Sequence, residues 1–273
     1  MIAPPYRRIT RIEATPAEGP DPYGSPDPRW LEVDWQQHLR WVDVEGARVV
    51  RAEIGEGPPV LMVHGLGGCW QNWIENLVPL AERGHRAIAI DLPGFGSSPM
   101  PPWEISIPAY GRFLDALADA LGLDGCTLVG NSLGGFISAE AAIRGPEWFE
   151  RLVLVSSAGI SHATMRREPA LAGARAAVLA NPLLRALDVP SMRRPALRRA
   201  AFRGIIHRPE LLRPELLVEL MGPSIGAPAY LPAVSALAGY DLLDRLERIR
   251  VPTLVIWGRD DLFVPASDAA GFT

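Results

Sequence analysis

Ser132 stands in the run Gly130-Asn131-Ser132-Leu133-Gly134-Gly135, between the apolar stretch Cys126 to Val129 and a stretch of helical spacing from Leu133 to Ile143. Small residues two positions to either side let a strand turn sharply into a helix, and such a turn forces the serine backbone into a strained conformation. The hydroxyl then projects into a cleft as a nucleophile, and the start of the helix presents the Leu133 amide to an oxyanion. A second glycine-rich run, His64-Gly65-Leu66-Gly67-Gly68, follows another apolar stretch. Its glycines permit close approach to the nucleophile, and a main-chain amide just past the His-Gly pair supplies the second oxyanion donor. That donor is assigned to Leu66, with Gly67 as the alternative, and His64 is expected to hold the loop by hydrogen bonds. The run Asp91-Leu92-Pro93-Gly94-Phe95-Gly96-Ser97-Ser98 reads as a backbone-shaping turn. In Trp257-Gly258-Arg259-Asp260-Asp261-Leu262-Phe263-Val264-Pro265, an acid leaves the last recognisable strand where it could orient a histidine.

The elements that must position these residues follow from periodicity. Leu39 to Val44 and Ala47 to Ile54 read as a hairpin joined at Glu45-Gly46. Val60 to Val63, Ala87 to Ile90, Cys126 to Val129, Leu152 to Val155 and Thr253 to Trp257 are short apolar runs that suit strands buried on both faces. Helical spacing appears from Trp73 to Glu82, from Ile107 to Leu121 and from Leu133 to Ile143. Strands alternating with helices imply a mostly parallel twisted sheet covered on both faces. Residues 1–30, punctuated by Pro16, Pro20, Pro22, Pro26 and Pro28, read as an extended or loosely docked arm. The core is expected over 31–156 and 253–273, and residues 157–252, too long for one crossover, form a helical cap insertion.

The chain has 273 residues, 27 basic and 31 acidic, for a net charge of −4. Every basic residue is an arginine, which excludes Schiff-base and pyridoxal chemistry, a P-loop and a Ser-Lys dyad. The acidic balance gives no reason to expect nucleic acid as a partner. From Ser157 to Pro209, ten arginines face only Glu168 and Asp188, a net charge of +8. Such a basic cap either draws in anions or presents the solvated outer faces of short helices; the second reading is preferred. Two cysteines, Cys69 and Cys126, are too few for a disulfide scaffold or a cysteine zinc site. The start of the chain carries no apolar signal region, and no run approaches ~20 apolar residues, so no membrane span and a reduced, cytoplasmic setting are expected.

Taken together and in this order, the four motifs resemble the α/β-hydrolase superfamily over roughly residues 39–270. The resemblance implies an α/β fold with an eight-stranded, mostly parallel sheet and a helical cap inserted after the sixth strand. It also implies a Ser…Asp…His triad in that chain order. Carried over by motif, Ser132 is the nucleophile and Asp261, three residues past Gly258, is the acid; no metal or organic cofactor is required. A serine at the elbow argues against dehalogenase or epoxide-hydrolase chemistry.

All five histidines (His38, His64, His85, His162 and His207) precede Asp261, whereas in the family the base follows the acid. The leading expectation is a C-terminally shortened chain, lacking the last strand, its helix and the catalytic histidine, and therefore nearly inactive. The competing readings are a substitute base in the cap, His162 or His207, and a non-catalytic ligand-binding protein on the same scaffold. For the substrate, a small carboxylic ester leads, hydrolysed by acyl transfer to water. The alternative is C–C hydrolysis of diketo-acid ring-cleavage products. Trp70-Gln71-Asn72-Trp73 and Asn131 are similar to polar positions of those enzymes, and cap arginines could hold a substrate carboxylate. Asn131 is equally a brace for the elbow.

Overall fold

The computed structural model describes residues 3–6, 29–145, 147–185, 193–204, 206–221 and 226–273. Among the described residues, seven strands form one sheet: β1 Leu39–Val44, β2 Ala47–Ile54, β3 Pro59–Val63, β4 Arg86–Ile90, β5 Cys126–Asn131, β6 Phe149–Val155 and β7 Thr253–Ile256. Their spatial order is β1-β2-β4-β3-β5-β6-β7. The β1/β2 and β2/β4 pairings are antiparallel and all the others parallel. The hairpin closes where Glu45 and Gly46 both take positive φ, 48° and 75°.

Side chains alternate across the sheet with period two. Leu61, Val63, Ile88, Ile90, Leu128 and Leu154 pack under helices α2 Ile107–Leu121 and α3 Leu133–Arg144. Val60, Met62, Ala87 and Ala89 face the other way, toward α1 Ile74–Glu82 and a layer of tryptophans. Ser106 caps α2, accepting from the Ala109 amide, and Gly122 ends it in the left-handed conformation. Burial on both faces is what makes the central strands uninterrupted apolar runs.

Between β6 and β7 the chain builds helices α4 Arg167–Arg185, α5 Pro195–Phe202, α6 Pro214–Met221 and α7 Tyr230–Leu237. Among the described residues of 157–209, eight arginines are exposed, while Arg198 is buried and donates to the Glu210 carbonyl. The surplus charge therefore lies on outer faces where it is described. The insertion returns to the core at the Asp91–Ser98 turn, where the Ala229 amide donates to Gly94, and at Glu140 on α3.

Several sequence boundaries move. The arm reads as extended or loosely docked to about residue 30, and at its end Arg29–Leu31 forms a 3-10 turn because Trp30 and Trp35 bury beside it. Residues 3–6 are docked, and 7–28 lie outside the described residues. The helix expected from Trp73 begins at Ile74, preceded by a separate 3-10 turn, Trp70–Trp73, because the Asn72 side chain accepts from the Cys69 amide. β5 runs on to Asn131, carrying the elbow to the very end of the strand. β7 forms the sheet edge, with Leu254 56% and Ile256 46% exposed.

Candidate active site

Ser132 links β5 to α3 with φ 51° and ψ −116°, a left-hand backbone that costs a non-glycine residue ~1–3 kcal/mol. Three hydrogen bonds hold it: its amide donates to the Val155 carbonyl, and its own carbonyl accepts from Phe136 and Ala158, all at 3.0 Å. Backbone crowding explains the flanking glycines. A Cβ on Gly130 would lie 2.4 Å from the Gly134 carbonyl oxygen, and one on Gly134 would lie 2.3 Å from that of Val63. The Ser132 side chain is half-buried, and its hydroxyl has no hydrogen-bond partner among the described residues. Leu133 is the first residue of α3, so its amide is one that a helix leaves without an internal partner.

The Gly65–Gly68 loop lies against this corner. A Cβ on Gly65 would sit 3.1 Å from Ser132 Cβ and 3.0 Å from Asn131 Oδ1. Gly67 takes φ 71°, and the Gly68 amide closes the turn on the Gly65 carbonyl. The Leu66 and Gly67 amides are thus on the loop that faces the serine. His64 is wholly buried and has both ring nitrogens engaged. Its Nε2 accepts from the Leu92 amide at 3.0 Å, so Nδ1 carries the proton and donates to the Gly65 carbonyl at 2.7 Å. Burial lowers its pKa to about 4, so it stays neutral and shapes the loop.

Asp91 anchors the same loop from behind. Its carboxylate accepts from the Trp70 amide at 2.7 Å and the Ser97 amide at 2.8 Å. Burial nevertheless pushes its pKa up to about 7, because removing the charge from water outweighs two donors. Asn131, placed among the candidate substrate contacts, donates from Nδ2 to the Val155 carbonyl at 3.0 Å and so braces the elbow.

The Trp257–Pro265 loop leaves the same carboxyl-terminal end of the parallel strands. Asn131, Val155 and Ile256 are in register across β5, β6 and β7, so Ser132 and Trp257 emerge side by side, two strand spacings or ~10 Å apart. Asp261 is half-buried, and its Oδ1 accepts from the Phe263 and Val264 amides, each at 2.9 Å. Asp260 is exposed and faces His207 Nε2 of the insertion at 3.6 Å. His162 is buried at the entry to the insertion; desolvation lowers its pKa and the Asp268 carboxylate opposes that shift. Asp268 also accepts from the Ser161 amide at 2.9 Å.

Two side chains near the loop escaped the sequence reading: Glu219 on α6, buried, and Tyr6 of the N-terminal residues, which donates to it. The available signal for Glu219 was an acid three residues past Leu216 on the apolar side of α6. Among the described residues, no group of three or more His, Cys, Asp or Glu could hold a metal ion, and no helix is long and apolar enough to cross a membrane.

Residues 58–185 match the alpha/beta hydrolase fold profile. The chain is 31% identical over 217 residues to the 2-hydroxy-6-oxo-6-phenylhexa-2,4-dienoate hydrolase of Comamonas testosteroni, covering 78% of this chain and 74% of that one. It belongs to the α/β-hydrolase fold family. A second relative of the family, the 2-hydroxy-6-oxo-2,4-heptadienoate hydrolase of Pseudomonas putida, is 31% identical over 222 residues, 78% of this chain and 75% of its own. A crystal structure of a hydrolase from Pseudomonas aeruginosa superposes with a TM-score of 0.66 at 25% identity, covering 86% of this chain and 85% of that one.

Proposed function

We propose that this α/β hydrolase uses Ser132 as its nucleophile on a small carbonyl substrate, and that the substrate is a diketo-acid ring-cleavage product cut at a C–C bond. The observation that carries the substrate class is the 31% identity, over 78% of the chain, to two dienoate hydrolases. The small-ester reading drawn from the motifs becomes the second one, favoured only by the general suitability of an unpartnered elbow serine for acyl transfer. In the proposed reaction Ser132 attacks the ketone carbon, and the Leu133 and Leu66 amides, or Gly67 in place of Leu66, hold the oxyanion. Collapse breaks the adjacent C–C bond; its electron pair is delocalised into the second, conjugated ketone of the diketo acid as an enolate, which takes up a proton. Water then releases the acyl group from Ser132 as a carboxylic acid. The Ser132 proton passes to an imidazole base that Asp261 would orient, and water returns it to the products.

None of the five histidines is proposed as that imidazole. Both nitrogens of His64 are engaged, and His38 Nδ1 lies 3.1 Å from the Glu53 carbonyl oxygen. His162 is set beside Asp268, His207 faces Asp260, and His85 lies between α1 and β4. Turnover by the 273-residue polypeptide alone is therefore expected to be slow, by several powers of ten. Bleaching of the yellow phenyl dienoate and release of p-nitrophenol from p-nitrophenyl acetate, each with and without added imidazole, test this reading. The expected result is imidazole-dependent bleaching that exceeds ester cleavage and is lost in Ser132→Ala. Equal rates in wild type and Ser132→Ala would remove the nucleophile; fast ester cleavage without imidazole would remove the claim about the base.

A further inference from the structure

The N-terminal residues 3–6 are joined to the site from three sides. Gln36 clasps their backbone: its Nε2 donates to the Pro4 carbonyl and its Oε1 accepts from the Tyr6 amide, both at 2.7 Å. The Tyr6 ring packs on Trp70 at 5.8 Å, and Trp70 packs in turn on Trp35 at 5.3 Å. The Tyr6 hydroxyl donates to Glu219 Oε1 at 2.5 Å, reaching helix α6 across 213 residues of sequence. Glu219 is 4% exposed and also accepts a hydrogen bond from the Gln71 side chain. One buried carboxyl group thus gathers donors from the arm and from the Trp70–Trp73 turn. That turn directly follows the Gly65–Gly68 loop, and its first amide is the one Asp91 holds.

We propose that Tyr6 and Glu219 are positioning residues, through which residues 3–6 strap α6 to the Trp70–Trp73 turn and so keep the Gly65–Gly68 loop against Ser132. The catalytic consequence rests on the nucleophilic role of Ser132; the strap itself does not. Closure costs a carboxyl group its water, and two donors plus the apolar contacts of Tyr6, Trp70 and Leu216 offset that cost. The groups acting on Glu219 are Tyr6 from the arm and Gln71 from the turn. Burial raises the Cys69 thiol well above its ordinary value, and the Asp91 carboxylate and then Glu219 add to that shift. Burial pushes Glu219 up to about 7 from an ordinary 4.5. An opened strap returns it to water, so opening releases a proton between those two values. Closure then weakens as pH rises through that window and levels off above it.

Amide hydrogen exchange followed by mass spectrometry, corrected for intrinsic rates, reads this without needing turnover. In Tyr6→Phe and Glu219→Ala, exchange should rise by roughly tenfold in the peptides spanning 65–73 and 214–221 together, with the β5 peptide unchanged. Glu219→Gln should restore protection. Its oxygen still accepts from Tyr6, and its amide can donate to Gln71 Oε1, a buried atom without a partner among the described residues. Protection of both segments should decline from pH 5 to pH 7 in the wild type and stay flat in Glu219→Gln. The assignment is overturned if the two segments do not loosen together, if loosening spreads to β5, or if the glutamine variant fares no better than the alanine one. Failure of Ser132 chemistry leaves all of these readouts interpretable.

Discussion

Gly130→Ala is the sharpest test of the elbow. The added Cβ would lie 2.4 Å from the Gly134 oxygen and 2.6 Å from both the Gly134 carbonyl carbon and the Gly135 nitrogen. All three are backbone atoms in the first turn of α3, so no side chain can swing aside. The cost belongs at the upper end of the overpacking range, ~3 kcal/mol. With a urea slope of ~3 kcal/mol per molar for a chain of this size, the midpoint falls by ~1 M. Gly122→Ala is the matched control. Gly122 has φ 59°, and a Cβ there would meet nothing within 4 Å, so only the left-handed backbone penalty applies. That penalty is ~1 kcal/mol, or about 0.3 M of urea. Urea unfolding followed by circular dichroism gives both midpoints, and fluorophosphonate labelling in the presence of imidazole reports whether Ser132 keeps its position. If Gly130→Ala falls no further than Gly122→Ala and labels normally, the strand-to-helix corner is not what holds the serine.

Asp91→Asn should flatten the pH dependence of stability. The folded carboxyl keeps its proton to about 7 against an ordinary 3.8, so wild-type stability falls as pH rises through that window and is level above it; unfolding free energies measured from pH 4 to 8 check the slope. At pH 5 the variant should also be ~1–2 kcal/mol less stable, since one amide oxygen replaces two carboxyl oxygens as acceptor for the Trp70 and Ser97 amides. Glu140→Ala should cost ~2 kcal/mol by urea titration and Glu140→Gln less. The carboxylate is the shared acceptor for Tyr240 and Arg245, and Arg245 is exposed enough to regain water. Leu254→Lys should reduce light scattering at fixed concentration without lowering the unfolding midpoint, because Leu254 lies exposed on the edge strand.

What the sequence reveals of the fold is set by how local the cause is. β1, β2 and α2 are readable to the residue, because Glu45-Gly46, Ser106 and Gly122 punctuate them and the periodicity between is unbroken. β6 reads short, from Leu152 instead of Phe149, because Glu150 and Arg151 sit exposed at the open end of the strand and interrupt the apolar run. The Trp70–Trp73 turn has no periodicity to read; a side chain three residues past Cys69 creates it. In the candidate site, the strand-to-helix corner at Ser132 and the glycine turn at Gly65–Gly68 are legible as geometry, since each is a few adjacent residues with one steric job. The choice of Asp261 as acid rests on the resemblance, because nothing local separates it from Asp260. The Tyr6–Glu219 contact could not be read at all, as its partners meet only after the sheet, α1 and the insertion are in place.

The same hydrogen bonds that hold the strained serine also reach the acid loop. The Val155 carbonyl takes the Ser132 amide, and the next residue, Ser156, itself at φ 41°, donates its amide to the Ile256 carbonyl. The Ser156 hydroxyl then accepts from Gly258, three residues before Asp261. Ser132 and the acid loop are therefore linked through the ends of three adjacent strands, and no histidine takes part in that linkage. A site whose proton acceptor held it together would collapse without one, and added base would then find nothing to serve. Here the corner and the Trp257–Pro265 loop are held by the sheet, so free imidazole added to the 273-residue polypeptide is expected to find a preformed serine. A Ser132-dependent gain that saturates with imidazole would bear this out, whereas a purely linear gain shared with Ser132→Ala would mean that the preformed corner does no chemistry.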